Sequence, residues 1–98
     1  MKLHKEADGK RLMIALEGRL DTASAPELEK ELQESLPGTE ELIFDLESLD
    51  YVSSAGLRVF LFAAKTMRKQ GSMKLVNVSE VIYEILEVTG FSEILTIE

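Results

Sequence analysis

Two adjacent serines, Ser53 and Ser54, are the residues whose type and spacing most directly suggest chemistry. They lie in the stretch YVSSAGLR, just before the apolar run LRVFLFAA. A serine at the start of a helix can cap it by accepting a hydrogen bond from a first-turn backbone N–H. An exposed hydroxyl in the same place can carry a phosphate, because free N–H groups and the helix dipole favour an anion. Ser53 is placed to act as the cap, and Ser54, as the first helical residue, is placed to point outward.

Other catalytic patterns are missing from the chain. Ser-His-Asp catalysis requires a histidine, and the only one, His4, is far in sequence from both serines and is predicted to be a surface or edge residue. No HExxH, DxDxDG, GxxxxGK[ST] or GxGxxG motif is present. The chain also has no cysteine. We therefore expect a protein that is not an enzyme, with no metal site and no cofactor.

Composition limits the partners. A length of 98 residues fits a single domain, residues 1–98. The 11 basic and 18 acidic residues give a net charge of −7, which repels phosphate backbones and anionic membranes. The N-terminus lacks the apolar core of a signal peptide, and the longest apolar stretch, 59–64, is too short to span a bilayer. We expect a cytoplasmic protein with no nucleic-acid or membrane partner.

Alternating strands and helices are predicted to position the serines. Asp8-Gly9 predicts a hairpin between the first two strands. The order β-β-α-β-α-β-α-β predicts an α/β domain with an N-terminal hairpin and a mixed sheet whose later strands are parallel. The predicted strands are 2–6, 11–17, 41–46, 73–78 and 94–97, and the predicted helices are 25–36, 54–70 and a third that Ser79 caps and Gly90 ends. The connection 47–52 is predicted to lie at the carboxyl edge of the sheet, where ligand sites of α/β folds occur.

Hydrophobic spacing predicts which helix faces are apolar. In the second helix, the core face is predicted to hold Leu57, Phe60, Leu61 and Ala64, the opposite strip Val59, Phe62, Ala63 and Thr66, and a basic flank Arg58, Lys65 and Lys69. An apolar strip that faces away from the core is either covered by another element or offered to a partner. In the third helix, Val81, Ile85 and Val88 share a face.

Two further local patterns concern helix starts. Ser24-x-x-Glu27 matches a capping box for the first helix. Gly56 lies in the first turn of the second helix, although glycine disfavours helix by about 1 kcal/mol relative to alanine. Either something approaches the backbone closely at Gly56, or the first turn packs tightly on the sheet.

The stretch LIFDLESLDYVSSAGLRVFL resembles the signature of STAS domains, and most closely that of bacterial anti-sigma factor antagonists. Asp45-Leu46 matches the end of the signature strand, and residues 53–57 match the opening of its helix. The segment EGRLDTASAPEL resembles the second family marker, Gly-x-Leu-Asp followed by a helix. The ending, from Leu75-Val76 through Thr89-Gly90-Phe91 to Ile97, also fits. The likeness therefore covers nearly the whole chain.

The resemblance implies partner switching in bacterial transcription. In this family the unmodified antagonist binds an anti-sigma factor that is also a serine kinase, and so frees a sigma factor. The kinase phosphorylates the first serine of Asp-Ser-Ser/Thr-Gly, and a PP2C-type phosphatase removes the phosphate. Ser54 matches that serine, while Ser53 replaces the usual aspartate and Ala55 the second hydroxyl. Ser54 is the expected phosphoacceptor and Ser53 the alternative.

The expected partner-binding surface surrounds these serines. Its predicted members are Asp21, Thr22, Ser53, Ser54, Ala55, Gly56, Arg58, Val59 and Phe62. Asp21 and Thr22 match the second family marker, and they either share this surface or form only a turn held by the Asp21 side chain. The alternative function is a STAS scaffold that binds without phosphorylation, like the small subunit of some lipid-transport complexes.

Overall fold

A four-stranded mixed sheet carries three helices in the computed structural model, which describes residues 1–98. The elements are β1 (Lys2–Asp8), β2 (Arg11–Leu20), α1 (Ala25–Ser35), β3 (Glu41–Val52), α2 (Ser54–Arg68), β4 (Ser72–Val76) and α3 (Glu80–Val88), followed by a short 3-10 helix (Phe91–Glu93). The strand order is β1-β2-β3-β4, with β1 antiparallel to β2 and the other pairs parallel. The predicted α/β domain with a mixed sheet is confirmed.

Alternating residues of the two central strands form the floor of the core. The fully or nearly fully buried positions are Leu12, Ile14 and Leu16 of β2 and Leu42, Phe44 and Leu46 of β3. The helices cover them with Leu28, Leu32, Phe60, Met67, Ile82 and Leu86, all completely buried. The rings of Phe44 and Phe60 meet edge to face, with centroids 5.1 Å apart. This contact between β3 and α2 helps to fix the helix that begins with Ser54.

The predicted hairpin is confirmed, with its turn one residue later than predicted. Asp8 pairs with Arg11, so the two turn residues are Gly9 and Lys10. Only Gly9 has positive φ, at 62°. This backbone does not fit a type I′ turn, which needs positive φ at both positions. Glycine at the first position is typical of a type II′ turn.

Strand β3 is twice as long as predicted, and the expected loop at 47–52 is its second half. The register with β2 moves from Ala15↔Asp45 to Glu17↔Ser48, and then from Gly18↔Leu49 to Arg19↔Tyr51. At each shift β3 advances one residue more than β2, which is the signature of a β-bulge. The extra residues bring Leu49 and Val52 to the core side, where they are 3% and 2% exposed. The strand therefore runs directly into α2.

The predicted strand at 94–97 is wrong. After the 3-10 helix, the chain makes a single parallel bridge, Leu75↔Ile97, beside the edge strand β4. Two backbone hydrogen bonds form it, from Leu75 N to Thr96 O and from Glu98 N to Leu75 O, both 2.9 Å. The N–H groups of Ile94 and Leu95 donate to the Phe91 carbonyl, at 3.0 and 2.9 Å, and so do not pair with β4.

The apolar face of α3 is rotated relative to the spacing pattern. Ser79 caps the helix by accepting from the Ile82 N–H, and Gly90 ends it with φ 83°, both as predicted. The buried residues are Ile82 and Leu86, however, while Val81 and Val88 are 59% and 78% exposed. The face shared by Val81, Ile85 and Val88 is therefore mostly turned to solvent.

Two of the four residues in the predicted outward strip of α2 are buried. Val59 is 6% exposed and Ala63 is fully buried, whereas Phe62 and Thr66 keep partial exposure. Leu61 and Ala64, predicted for the core face, are only half-buried. Ala63 shares the core face with Phe60 and Met67 at helical spacing, so the core face is rotated relative to the prediction. Val59 lies beside Ala25 and Pro26 of α1, so covering by another element, one of the two outcomes left open by the sequence, applies to this residue.

Candidate functional site

Ser53 is the N-cap of α2, as predicted. Its backbone is extended, with φ −89° and ψ 174°, and its Oγ accepts a hydrogen bond of 3.3 Å from the Gly56 N–H. Its own N–H donates to the Leu20 carbonyl at 2.8 Å, which ties the end of β2 to the start of α2. The Ser53 hydroxyl is therefore engaged in holding the helix end, and the side chain is half-buried.

Ser54 is exposed at the first helical position. Its hydroxyl takes part in no hydrogen bond of the protein, and only its carbonyl oxygen is contacted by a side chain, from Arg58 Nε at 3.5 Å. A hydroxyl in this position is free to react with an external group, and an anion placed on it meets the positive end of the helix dipole.

Gly56 is where α2 presses on the sheet. A Cβ atom on Gly56 would lie 2.7 Å from Leu20 Cγ, 2.8 Å from Val52 Cγ2 and 2.9 Å from Leu20 Cδ2. Of the two explanations that the sequence left open, tight packing of the first turn on the strand ends is therefore sufficient. Leu20 and Val52, which the sequence did not connect with the site, support the turn that displays Ser54.

The loop between β2 and α1 is a turn held by Asp21. The Asp21 carboxylate accepts hydrogen bonds of 3.0 Å from the N–H groups of Ala23 and Ser24. Hydrogen bonds from Ser24, from its backbone first and its side chain second, hold the pKa of the Asp21 carboxyl below its usual value. One of the two predicted roles of Asp21, holding a turn with its side chain, is therefore seen in the structure.

The predicted capping box is wrong. Ser24 has helical φ and ψ, and its side chain caps no N–H of α1. Its Oγ accepts instead from the Asp21 N–H at 2.9 Å and donates to the Arg19 carbonyl at 2.8 Å. Ser24 therefore stabilises the preceding turn and does not cap the helix.

The two halves of the predicted surface meet in a shallow cleft between α1 and α2. One wall is formed by Thr22, Ala25, Pro26 and Glu29, and the other by Ala55, Arg58 and Val59. Thr22 thus lies beside the first turn of α2, as predicted for a shared surface. Asp21 lines a separate depression with Arg19, Ala23 and Glu27. Phe62 lies one turn further along α2 than Arg58 and is half-buried.

One further contact, beside the depression that Asp21 lines, could not be predicted from the sequence. The Arg19 guanidinium lies 4.4 Å from the ring centroid of Tyr51, across the paired ends of β2 and β3. Such cation–π stacking holds an arginine in place. The pairing of Arg19 with Tyr51 depends on β3 extending beyond residue 46, which the sequence did not predict.

Three observations concern catalysis by histidine, metal binding and membrane insertion. His4 is exposed on the edge strand β1, as predicted for a surface or edge residue. No three His, Cys, Asp or Glu side chains are grouped so that they could hold a metal ion. None of the helices has the length and apolar character that a membrane span requires.

Comparison with known proteins identifies the family. The STAS domain model matches residues 2–98. The protein BtrV of Bordetella bronchiseptica is 38% identical over 96 residues, covering 96% of this chain and 83% of its own. The anti-sigma-B factor antagonist of Bacillus subtilis is 33% identical over 87 residues, covering 88% and 80%.

The fold has also been seen in solved structures. The Bacillus anti-sigma factor antagonist SpoIIAA is 17% identical and superposes with a TM-score of 0.79 in its unphosphorylated form, covering 99% of this chain and 87% of its own. Its phosphorylated form superposes with a TM-score of 0.77, covering 99% and 91%. The chain therefore belongs to the STAS domain family, in its group of anti-sigma factor antagonists.

Proposed function

We propose that this protein switches partners under the control of a phosphate on Ser54. The unphosphorylated form binds an anti-sigma factor that is a serine kinase, and a sigma factor is released. The kinase then phosphorylates Ser54, which ends the binding, and a PP2C-type phosphatase restores the active form. In this scheme the chain is a cytoplasmic substrate of enzymes and has no catalytic activity of its own.

The observation that carries the proposal is the difference between the two adjacent hydroxyls. The Ser53 Oγ is bound to the Gly56 N–H, whereas the Ser54 hydroxyl is exposed and has no partner in the protein. Phosphorylation of Ser53 would remove the helix cap, but phosphorylation of Ser54 would disturb no contact of its hydroxyl. The structure therefore favours Ser54 as the acceptor.

A phosphate on Ser54 is expected to alter the surface and leave the fold in place. It brings about −1.5 to −2 charges and lies at a helix N-terminus, where the dipole and free N–H groups stabilise it. In a docked complex, the same dianion would have to lose its water. Desolvating a charge costs several kcal/mol even where it is paired, so the complex is expected to dissociate.

The proposed docking surface is the cleft between α1 and α2 together with the first turns of α2. Thr22 and Arg58 are exposed, and Ala55 and Phe62 are half-buried, so a partner can reach these residues. Val59 and Gly56 are buried and shape the surface from below. Asp21 contributes by holding the loop that presents Thr22.

The test is phosphorylation by a candidate anti-sigma factor kinase with ATP, followed by mass mapping. We expect one phosphate on Ser54 in the wild type and in Ser53→Ala, and none in Ser54→Ala. Because Ser53→Ala loses a helix cap worth about 1 kcal/mol, circular dichroism must first show that it is folded.

Two results would contradict the proposal. A phosphate mapped to Ser53 in the wild type would assign the switch to the other hydroxyl. A kinase that binds the chain tightly but leaves it unmodified would favour a STAS scaffold that works without phosphorylation.

A further inference from the structure

Arg58 is an exposed cation one helical turn from Ser54. Its Nε donates to the Ser54 carbonyl oxygen at 3.5 Å, so the side chain already folds back toward the start of α2. The four ion pairs of the structure do not include it: they are Lys5–Glu31, Lys10–Glu40, Arg11–Glu41 and Lys74–Glu98. Its guanidinium is therefore available to a new anion.

No neighbouring carboxylate pairs with Arg58, and the other basic residues nearby are either engaged elsewhere or further from Ser54. Glu29 of α1 lies across the cleft from Arg58 but forms no ion pair with it, and it is the only other charged residue that lines the cleft. Arg19 is stacked on Tyr51. Lys65, the next basic residue of α2, is seven residues beyond Arg58, roughly 10 Å further along the helix axis.

We propose that Arg58 is the intramolecular counter-ion of a phosphate on Ser54. Side chains at i and i+4 of a helix are neighbours, and a guanidinium fork matches two phosphate oxygens. The inference rests on the proposed function and deepens it. In the unmodified protein, Arg58 faces the docking surface; after phosphorylation, it turns to the phosphate of its own helix. One modification would thus add a dianion to the surface and withdraw a cation from it.

The test uses protein with phosphoserine built in at position 54 during translation, so it needs no kinase. The second pKa of the phosphate is measured by phosphorus NMR titration. Since a nearby guanidinium favours the dianion, Arg58→Gln is expected to raise this pKa by about half a unit. Arg58→Lys, which keeps the charge but not the fork, is expected to raise it less.

Lys65→Gln is the matched control, because it removes one positive charge from the same helix at a distance. If Arg58→Gln and Lys65→Gln leave the pKa equally unchanged, Arg58 is not the counter-ion. That result would leave the proposed function standing, because the phosphoserine is introduced without the kinase. Failure of the kinase to modify Ser54 would, conversely, leave the Arg58 result intact.

Discussion

Neighbouring serines have different roles here because the helix begins between them. Ser53 still has extended backbone, so its Oγ can reach back to the Gly56 N–H, and Ser54 is already helical. Aspartate and serine are similarly good N-caps. Ser53 can therefore cap the helix although the resemblance leads to the expectation of aspartate at this position, and Ser54 remains the first helical residue.

Gly56→Ala should destabilise the protein although alanine is the better helix former. The new Cβ would lie under 3.0 Å from atoms of Leu20 and Val52. Overpacking of this kind costs about 1–3 kcal/mol, which outweighs a helix gain of about 1 kcal/mol. Urea unfolding should show a net loss of about 1 kcal/mol; a variant more stable than the wild type would refute the packing account.

A double-mutant cycle separates this clash from other effects. Two of the three close atoms belong to Leu20, so Gly56→Ala should cost less in a Leu20→Ala background. An unchanged cost in that background would mean that Leu20 is not what restricts position 56.

The sequence could predict that glycine at position 56 has a reason and that tight packing on the sheet was one of two causes, but it could not predict which side chains fill the space. The side chains that fill the space come from the ends of β2 and β3. Both strand ends lay beyond the predicted strands, so the sequence offered no neighbour for Gly56.

Among the elements, the start of α1 shows two capping patterns in competition. Ser24-x-x-Glu27 and Asp21-x-x-Ser24 are both compatible with the sequence, and the second is the one that forms. A carboxylate that accepts two backbone N–H groups makes charge-assisted bonds, which are stronger than those of a neutral hydroxyl. Asp21 therefore determines the shape of the loop that carries Thr22.

Asp21→Asn should lower stability at neutral pH and matter less in acid. The pKa of Asp21 is lowered in the folded protein, so its ionised form stabilises the fold above the ordinary value of about 3.9. This contribution is lost as the pH falls through the lowered folded-state pKa. Urea unfolding at pH 7 and near pH 2.5 measures the difference between variant and wild type.

The difference in unfolding free energy between the wild type and Asp21→Asn should become smaller as the pH falls. Asp50→Asn, at an exposed position of β3, is the control for a general loss of negative charge. If the difference in unfolding free energy between Asp21→Asn and the wild type stays constant with pH, the charge of Asp21 does not stabilise the turn.

Strand β3 explains why element boundaries near the site were the least predictable. Its residues in the main hydrophobic core follow a spacing of two from Leu42 to Leu46 and then a spacing of three to Leu49 and Val52. Each bulge inserts one residue, so the second half of the strand lost the alternation by which strands are identified. The C-terminal run 94–97 shows the opposite error, since β propensity was present but the N–H groups of Ile94 and Leu95 bond to the Phe91 carbonyl and not to β4.

For the whole molecule, local charge should matter more than net charge. A phosphate changes a net charge of −7 by about −1.5 to −2, and exposed charges are screened beyond about 8 Å at physiological ionic strength. The molecule measures 32 × 26 × 20 Å, so most of its surface would not sense the phosphate. A switch at Ser54 must therefore act on a partner that docks over the start of α2.

Apart from the last strand, the order of elements, the mixed sheet and the place of the two serines could be predicted, because strand–helix alternation and a family motif carry that information locally. Which faces of the helices are buried could not be predicted. The burial of Val59 depends on α1 lying beside α2, and the exposure of Val81 and Val88 depends on how α3 lies on the sheet. These are tertiary facts without a local pattern.

The most direct measurement compares the affinity of the anti-sigma partner for two forms of this protein, unmodified and with phosphoserine at position 54. At 1.4 kcal/mol per tenfold, a desolvated dianion should weaken binding by about a hundredfold or more, while the circular dichroism spectra stay the same. Equal affinities would contradict the account, and so would a loss of binding that is accompanied by unfolding of the phosphorylated form.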